Sequence, residues 1–217
     1  MQWRWIGEFA ICIVVLAAVV GLARYRRLSS AVRYVALLAI FTAALEITSS
    51  LLVAEQLPNL FLFPLALAGE GLLLTLAYRR VLASPQLGRA LLTGLAVYLS
   101  FLLAEAVRKQ GAVQYYVVAQ VVSNGVLLGL AALYFRQLLH ELRVEHLRRD
   151  PFFWLSTTLV IYALGNVLIA LSSDYLMAHY SLAAQQLVLH GVRNFFNILL
   201  YATYLLVIWM RPSKLSL

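Results

Sequence analysis

The sequence predicts an all-α integral membrane protein, a seven-helix bundle with its N-terminus outside and its C-terminus in the cytoplasm. Three observations predict it: an apolar composition, seven apolar runs of membrane-spanning length, and basic residues gathered in alternate connections. Apolar side chains make up 63% of the 217 residues and charged ones 12%, with a mean hydropathy of +0.86. A soluble domain carries about 25% charged residues, so this chain has too little polar surface to face water on all sides. The single cysteine, Cys12, excludes a disulfide scaffold within the chain. In a soluble protein the formal charge of +8 would point to nucleic acid; here the positive residues lie between apolar runs and read as topology signals, so no nucleic acid is expected.

A bilayer core about 30 Å thick takes about 20 helical residues. Runs of that kind stand at 5–23, 33–54, 59–79, 88–107, 112–136, 152–173 and 183–210. The first opens on Met1-Gln-Trp-Arg-Trp, without a basic cluster, and closes on Ala23-Arg24-Tyr25-Arg26-Arg27, the pattern of a retained anchor. The second carries Glu46. The third holds Pro64 and Gly69-Glu70-Gly71, which predict either a kink that exposes Glu70 or close helix packing through small residues. Asn59-Leu-Phe-Leu-Phe at its start is placed to cap it or to line an entrance. Pro85-Gln86 reads as a loop before the fourth run.

The fifth run continues past the apolar stretch. Over 136–149, Leu138, Leu139, Leu142 and Leu147 fall near the helical period, and Glu145 pairs with Arg149 at i, i+4. That segment predicts a helical extension into the cytoplasm, where Arg136, Arg143, Arg148 and Arg149 meet anionic lipid or a partner protein. Asp150-Pro151 supplies an N-cap and a first-turn proline for the sixth run. In the seventh, His190, Arg193, Asn194, Asn197, Tyr201 and Tyr204 recur at steps of three and four, a single stripe turned toward the bundle. Trp3 and Trp5 at one face, and Tyr25, Trp154 and Trp209 at the other, are placed for aromatic belts. The connections are too short for a separate soluble domain, so residues 1–217 read as one transmembrane domain.

Orientation follows from the basic residues. Arg24, Arg26, Arg27, Arg33, Arg79, Arg80, Arg89, Arg136, Arg143, Arg148, Arg149, Arg211 and Lys214 fall on one side, against Arg4, Arg108 and Lys109 on the other. Positive charge in short loops marks the cytoplasmic face, which predicts a multi-pass protein of the bacterial inner membrane.

An ionisable group near the bilayer centre costs about 2.5 kcal/mol or more, so each one inside a span is a functional candidate. Glu46, Glu70, Gln120, Asn124, Asn166, Arg193, Asn194 and Asn197 fall between the midplane and the outer side, with His190 a turn further out. A guanidinium at this depth calls for an anion, which predicts pairing of Arg193 with Glu46 or Glu70 and hydrogen bonds from the asparagines. Interhelical bridging alone explains one or two asparagines, and two carboxylates with an arginine and a histidine less readily.

Several chemistries are disfavoured. No span has a lysine at its centre for a retinal Schiff base, and His190 has no facing partner for haem. His190, Glu46 and Glu70 match a zinc ligand set in kind, but Arg193 beside them competes for the carboxylates. Nucleophile constellations and Walker, Rossmann and paired-cysteine patterns are absent. No enzyme activity, metal or cofactor is therefore expected.

Pro151-Phe-Phe-Trp-Leu-Ser, Leu164-Gly165-Asn166 and His190-Gly-Val-Arg-Asn-Phe-Phe-Asn197-Ile-Leu-Leu-Tyr201 resemble a group of small uncharacterised bacterial seven-transmembrane-helix proteins, similar to the membrane sensor modules of two-component systems. The resemblance implies a sensory role with no established ligand. The expected protein is a sensor or receptor-like module. It holds an unknown small ligand in an outward-opening pocket of Glu46, Glu70, Asn124, Asn166, His190, Arg193 and Asn197, and signals to a cytoplasmic protein such as a histidine kinase. The alternatives are a small proton-coupled transporter using Glu70 and an accessory subunit of a larger membrane complex.

Overall fold

The computed structural model describes residues 4–82, 84–108, 117–140 and 144–210. Among these residues eight α-helices follow in order: α1 Arg4–Arg24, α2 Ser30–Ala54, α3 Leu62–Val81, α4 Pro85–Arg108, α5 Val117–His140, α6 Pro151–His179, α7 Leu182–Gln186 and α8 Arg193–Trp209. A π-helical segment, Leu187–Val192, joins α7 to α8, and 3-10 turns occupy Tyr25–Arg27 and Val144–Arg149. Among the described residues there is no strand. Among the described residues seven helical stretches are long and apolar enough to cross a membrane, the last running over Ala184–Trp209. In hydrocarbon each backbone N–H and C=O must be bonded within its own segment, which is why apolar runs of this length form helices.

Local chemistry sets the helix ends. Ser29 starts α2 earlier than the apolar run suggests, because its Oγ accepts a hydrogen bond from the Val32 N–H at 3.5 Å. Pro85 is the first residue of α4, which overturns the reading of Pro85-Gln86 as a loop. A proline there gives up no intrahelical bond. Pro64 stands in the first turn of α3, where the same reasoning applies.

Asp150 caps α6 as expected. One carboxylate oxygen accepts from the Phe152 N–H at 2.8 Å and the other from the Tyr134 hydroxyl at 2.8 Å. α6 then runs beyond 173 to His179, since the hydroxyls of Ser172 and Ser173 bond back to the carbonyls of Ile169 and Ala170 instead of competing with the helix. The fifth helix does extend past 136, to His140, but Val144–Arg149 is a 3-10 turn. The α-helical register expected for Glu145 and Arg149 is therefore lost. Leu142 and Arg143 lie outside the described residues.

α2 ends on a left-handed residue, Gln56, with φ 56°. Its N–H bonds the Val53 carbonyl and the Leu57 N–H bonds the Leu52 carbonyl, the paired closure that ends many helices, here without the usual glycine.

The spans pack as a ring of six with one helix outside. α1 lies between α2 and α8, α2 packs on α3, α3 on α5, α5 on α6, and α6 returns to α8. α4 sits against the outside of α3, with a smaller contact to α5. The Tyr98 hydroxyl fastens it by donating to the Leu67 carbonyl at 2.9 Å and sharing a 2.7 Å hydrogen bond with Ser123. Gly71 makes this possible: a β-carbon there would strike the Tyr98 ring.

One half of the ring carries most of the arginines. At that end Arg24 donates to the carbonyls of Ile208 and Trp209 at 3.1 and 2.8 Å and lies 5.3 Å over the Trp209 ring, closing the last turn of α8. Just inside it Val35, Ala36, Leu74, Ala77, Leu155, Leu159, Val207 and Ile208 are fully buried. Tyr78 stands at their centre, edge-on to Phe152 at 5.6 Å and to Tyr134 at 6.4 Å, with its hydroxyl 2.6 Å from Ser156 Oγ.

Candidate functional site

The other half of the ring opens into a cavity of about 510 Å³. α2 lines it with Phe41, Thr42, Leu45, Glu46 and Ser49, and α3 with Phe63, Ala66, Leu67 and Glu70. α6 contributes Tyr162, Ile169, Ser173 and Met177, and α8 contributes Arg193, Asn194, Asn197, Leu200, Tyr201 and Tyr204. The stripe on α8 explains its share. Steps of three and four keep Arg193, Asn197, Tyr201 and Tyr204 on one face, and the wider π-helical turn just before Arg193 sets the register of that face.

The helix rise of about 1.5 Å per residue orders these groups by depth. Ser49, Asn59, Met177 and Arg193 lie toward the arginine-poor end. Phe41, Glu70, Tyr162, Tyr201 and Tyr204 lie toward the packed half. The Tyr201 hydroxyl donates to Glu46 Oε1 at 2.8 Å, a hydrogen bond that ties α8 to α2. The Arg193 guanidinium lies 5.6 Å over the Phe63 ring and interacts electrostatically with Glu70. Nearer the end of the bundle, Asn59 Nδ2 donates to Ser49 Oγ at 2.8 Å and ties the α2–α3 connection to the cavity rim.

The glycines beside Glu70 serve packing. A β-carbon at Gly69 would strike the Phe41 ring, and one at Gly71 the Tyr98 ring, so both neighbours of Glu70 are fixed against other helices. That arrangement holds the carboxylate at one place on the cavity wall.

Of the residues singled out from the sequence, Glu46, Glu70, Arg193, Asn194, Asn197 and Tyr201 line this one cavity. Gln120, Asn124 and Asn166 do not line it. The Asn124 amide donates to the Gln120 carbonyl at 2.8 Å and the Asn166 amide to the Tyr162 carbonyl at 2.9 Å, each one turn back along its own helix. Gln120 Nε2 donates to Asn166 Oδ1 at 3.4 Å, so these three form a buried bridge between α5 and α6. The pocket expected to include Asn124 and Asn166 is narrower than the polar layer because amides spend their hydrogen bonds locally.

His190 belongs to the π-helical segment, and its side chain lies outside the described residues. Arg136 is exposed beside a shallow groove of Phe135, Leu139 and His140, and Arg148 and Arg149 are exposed on the 3-10 turn. Asn59 and Phe63, from the stretch expected to cap α3 or to line an entrance, do line the cavity; Phe41 and Tyr162 were not singled out. An aromatic ring in an apolar span gives no sign of the direction it faces; only the phenol of Tyr162, one turn before Asn166, offered a signal.

Among the described residues no group of three His, Cys, Asp or Glu side chains is placed to hold a metal ion. No buried side-chain nitrogen or oxygen among them lacks a hydrogen-bond partner. No family model, curated protein or solved structure matches the chain.

Proposed function

We propose that this is a seven-helix membrane sensor or receptor-like protein that binds a small ligand in the cavity between α2, α3, α6 and α8. The observation that carries the reading is a cavity toward one end of the bundle, lined by charges of both signs and backed by a close-packed layer around Tyr78. A pocket of several hundred Å³ with an apolar wall and a few convergent polar groups is what small-molecule sites have in common. In this reading the cavity end faces outward and the opposite end the cytoplasm of a bacterial inner membrane, which the gathering of arginines in alternate connections supports.

α8 links the two ends. It starts at the cavity with Arg193 and finishes at Trp209 under Arg24. A ligand that favours one packing of α8 against α2 and α6 shifts the population of states at the far end. The cytoplasmic partner, a protein such as a histidine kinase, then reads the change through the exposed Arg136, Arg148 and Arg149.

Native mass spectrometry of the protein purified in mild detergent tests the reading. The expected result is a stoichiometric small molecule that is lost in Arg193→Gln. Proton flux in liposomes that disappears in Glu70→Gln would replace the sensor with a transporter. A stoichiometric membrane subunit, with nothing in the cavity, would replace it with an accessory protein.

A further inference from the structure

We infer that the cavity takes a primary amine in its protonated form, with the ammonium group held at Glu46 between α2 and α8. The inference rests on the ligand-binding reading and names the chemistry of the ligand.

The charges that line the cavity do not balance. Among the described residues on its wall are two carboxylates, Glu46 and Glu70, and one guanidinium, Arg193. Arg193 packs over Phe63 and interacts electrostatically with Glu70, so it answers that carboxylate. Glu46 has instead the Tyr201 hydroxyl, which donates to Oε1 at 2.8 Å, and no hydrogen bond from a described residue reaches its second oxygen. A phenol supplies a donor but no positive charge. One negative charge on the wall is therefore left for a ligand to meet.

The surroundings of Glu46 suit an ammonium group. α2 runs toward the cavity end and α8 runs back from it, and helical side chains lean toward the start of their own helix. Glu46 thus leans toward Thr42, one turn earlier on α2, and Tyr201 toward Asn197, one turn earlier on α8. The hydrogen bond between them lies with Thr42 on one wall and Asn197 on the other, and both of these residues line the cavity. Neither makes a hydrogen bond among the described residues, and no buried side-chain nitrogen or oxygen there lacks a partner, so their polar atoms have free surface. The second oxygen of Glu46, the Thr42 hydroxyl and the Asn197 side-chain carbonyl give three acceptors, the number of N–H bonds on a primary ammonium. The rings of Phe41 and Tyr162 add faces that attract cations, and Leu45, Ile169 and Leu200 form apolar wall for the body of the amine. An anionic ligand would face Glu46 while Arg193 is engaged with Glu70.

The ammonium group can come from a soluble amine or from the ethanolamine headgroup of a phospholipid, and the test separates them. The full chain in mild detergent is titrated by calorimetry with cyclohexylmethylamine, and with the alcohol, the carboxylate and the trimethylated ammonium of the same ring. The expected result is binding of the amine at least about tenfold tighter than of any of the other three, the difference that charge-assisted hydrogen bonds make. Glu46→Gln should reduce the amine to the level of the alcohol. Glu70→Gln should weaken it by a smaller factor, because it leaves the Arg193 charge in the cavity unanswered. The native ligand's loss in Arg193→Gln has a different origin, the guanidinium that covers Phe63 on the cavity wall. The comparison of probes on the unaltered protein needs no variant to fold. In nanodiscs, loss of amine binding with phosphatidylethanolamine but not with phosphatidylcholine assigns the site to the headgroup. Equal binding in both assigns it to a soluble amine.

The alcohol, the carboxylate or the trimethylated ammonium binding as tightly as the amine overturns the inference and leaves the ligand-binding reading standing. So does undiminished amine binding in Glu46→Gln, or failure of all four probes together with a copurified ligand that carries no amine. Failure of all four with nothing bound in native mass spectrometry overturns both.

Discussion

The two halves of this bundle are built from the same helices and solve different problems. In the arginine-rich half, polar side chains meet in closed pairs: Tyr78 with Ser156, Thr158 with Thr203, and Tyr134 with Asp150. Large side chains fill the space between them, and Leu155, Leu159 and Val207 have no exposed surface. In the other half Glu46, Glu70, Arg193 and Asn197 face a cavity of about 510 Å³. In a bilayer the apolar environment outside the helices does not favour burial, so stability comes from packing contacts and interhelical hydrogen bonds. The packed half supplies both, while in the cavity half charged and polar side chains line open space. The difference teaches that close packing and open polar space are divided along the helix axes rather than between helices.

Mutations break this division to different degrees. Leu155→Ala empties a fully buried site in the packed half and should cost about 2–5 kcal/mol, read as a lower melting temperature or an earlier transition in denaturing detergent. Gly71→Val comes next. Its side chain collides with the Tyr98 ring, which holds α4 to α3, and overpacking of this kind costs about 1–3 kcal/mol. The same substitution at Gly129, where a β-carbon would meet nothing within 4 Å, should leave the melting temperature near that of the parent. A smaller effect is expected for the Tyr78 and Ser156 pair. A double-mutant cycle with Tyr78→Phe and Ser156→Ala should give a coupling of about 0.6 kcal/mol, the average for polar pairs between membrane helices.

The sequence made the length and number of spans legible because the bilayer imposes a length on any apolar run. Asp150-Pro151 was legible because capping chemistry is local, and the α8 stripe was legible because Arg193, Asn194, Asn197, Tyr201 and Tyr204 recur at steps of three and four. Direction around the other helices was not. Glu46 and Asn166 both carry polar atoms at mid-depth, yet one faces the cavity and the other bonds Tyr162 and Gln120. α2, α5 and α6 are apolar nearly all round, so nothing in their periodicity separates the two cases. Pro85 was misread for a related reason: a proline signals a break, and only the chain before it decides whether the break begins a helix or interrupts one. The roles of Gly69 and Gly71 depended on Phe41 and Tyr98, partners from other helices that sequence spacing does not bring together.

The smallest stability effect should come from the residues with the most charge. Glu70→Gln removes a carboxylate that takes no hydrogen bond among the described residues and replaces it with a group of the same shape. If the division between halves holds, melting should shift by little, within the range of about 0.5 kcal/mol typical of substitutions that touch no packed contact. Asn197→Leu extends the argument. It adds apolar volume to the cavity wall, so it should hold or raise the melting temperature while abolishing ligand binding, the trade expected where a site is kept open at the expense of packing. A large loss of stability in both variants would mean that the cavity half contributes to the fold as the Tyr78 layer does, and its charges would then be interhelical connections. Preserved stability with lost binding would separate the two halves by function, with Glu70 belonging to the ligand and Tyr78 to the scaffold.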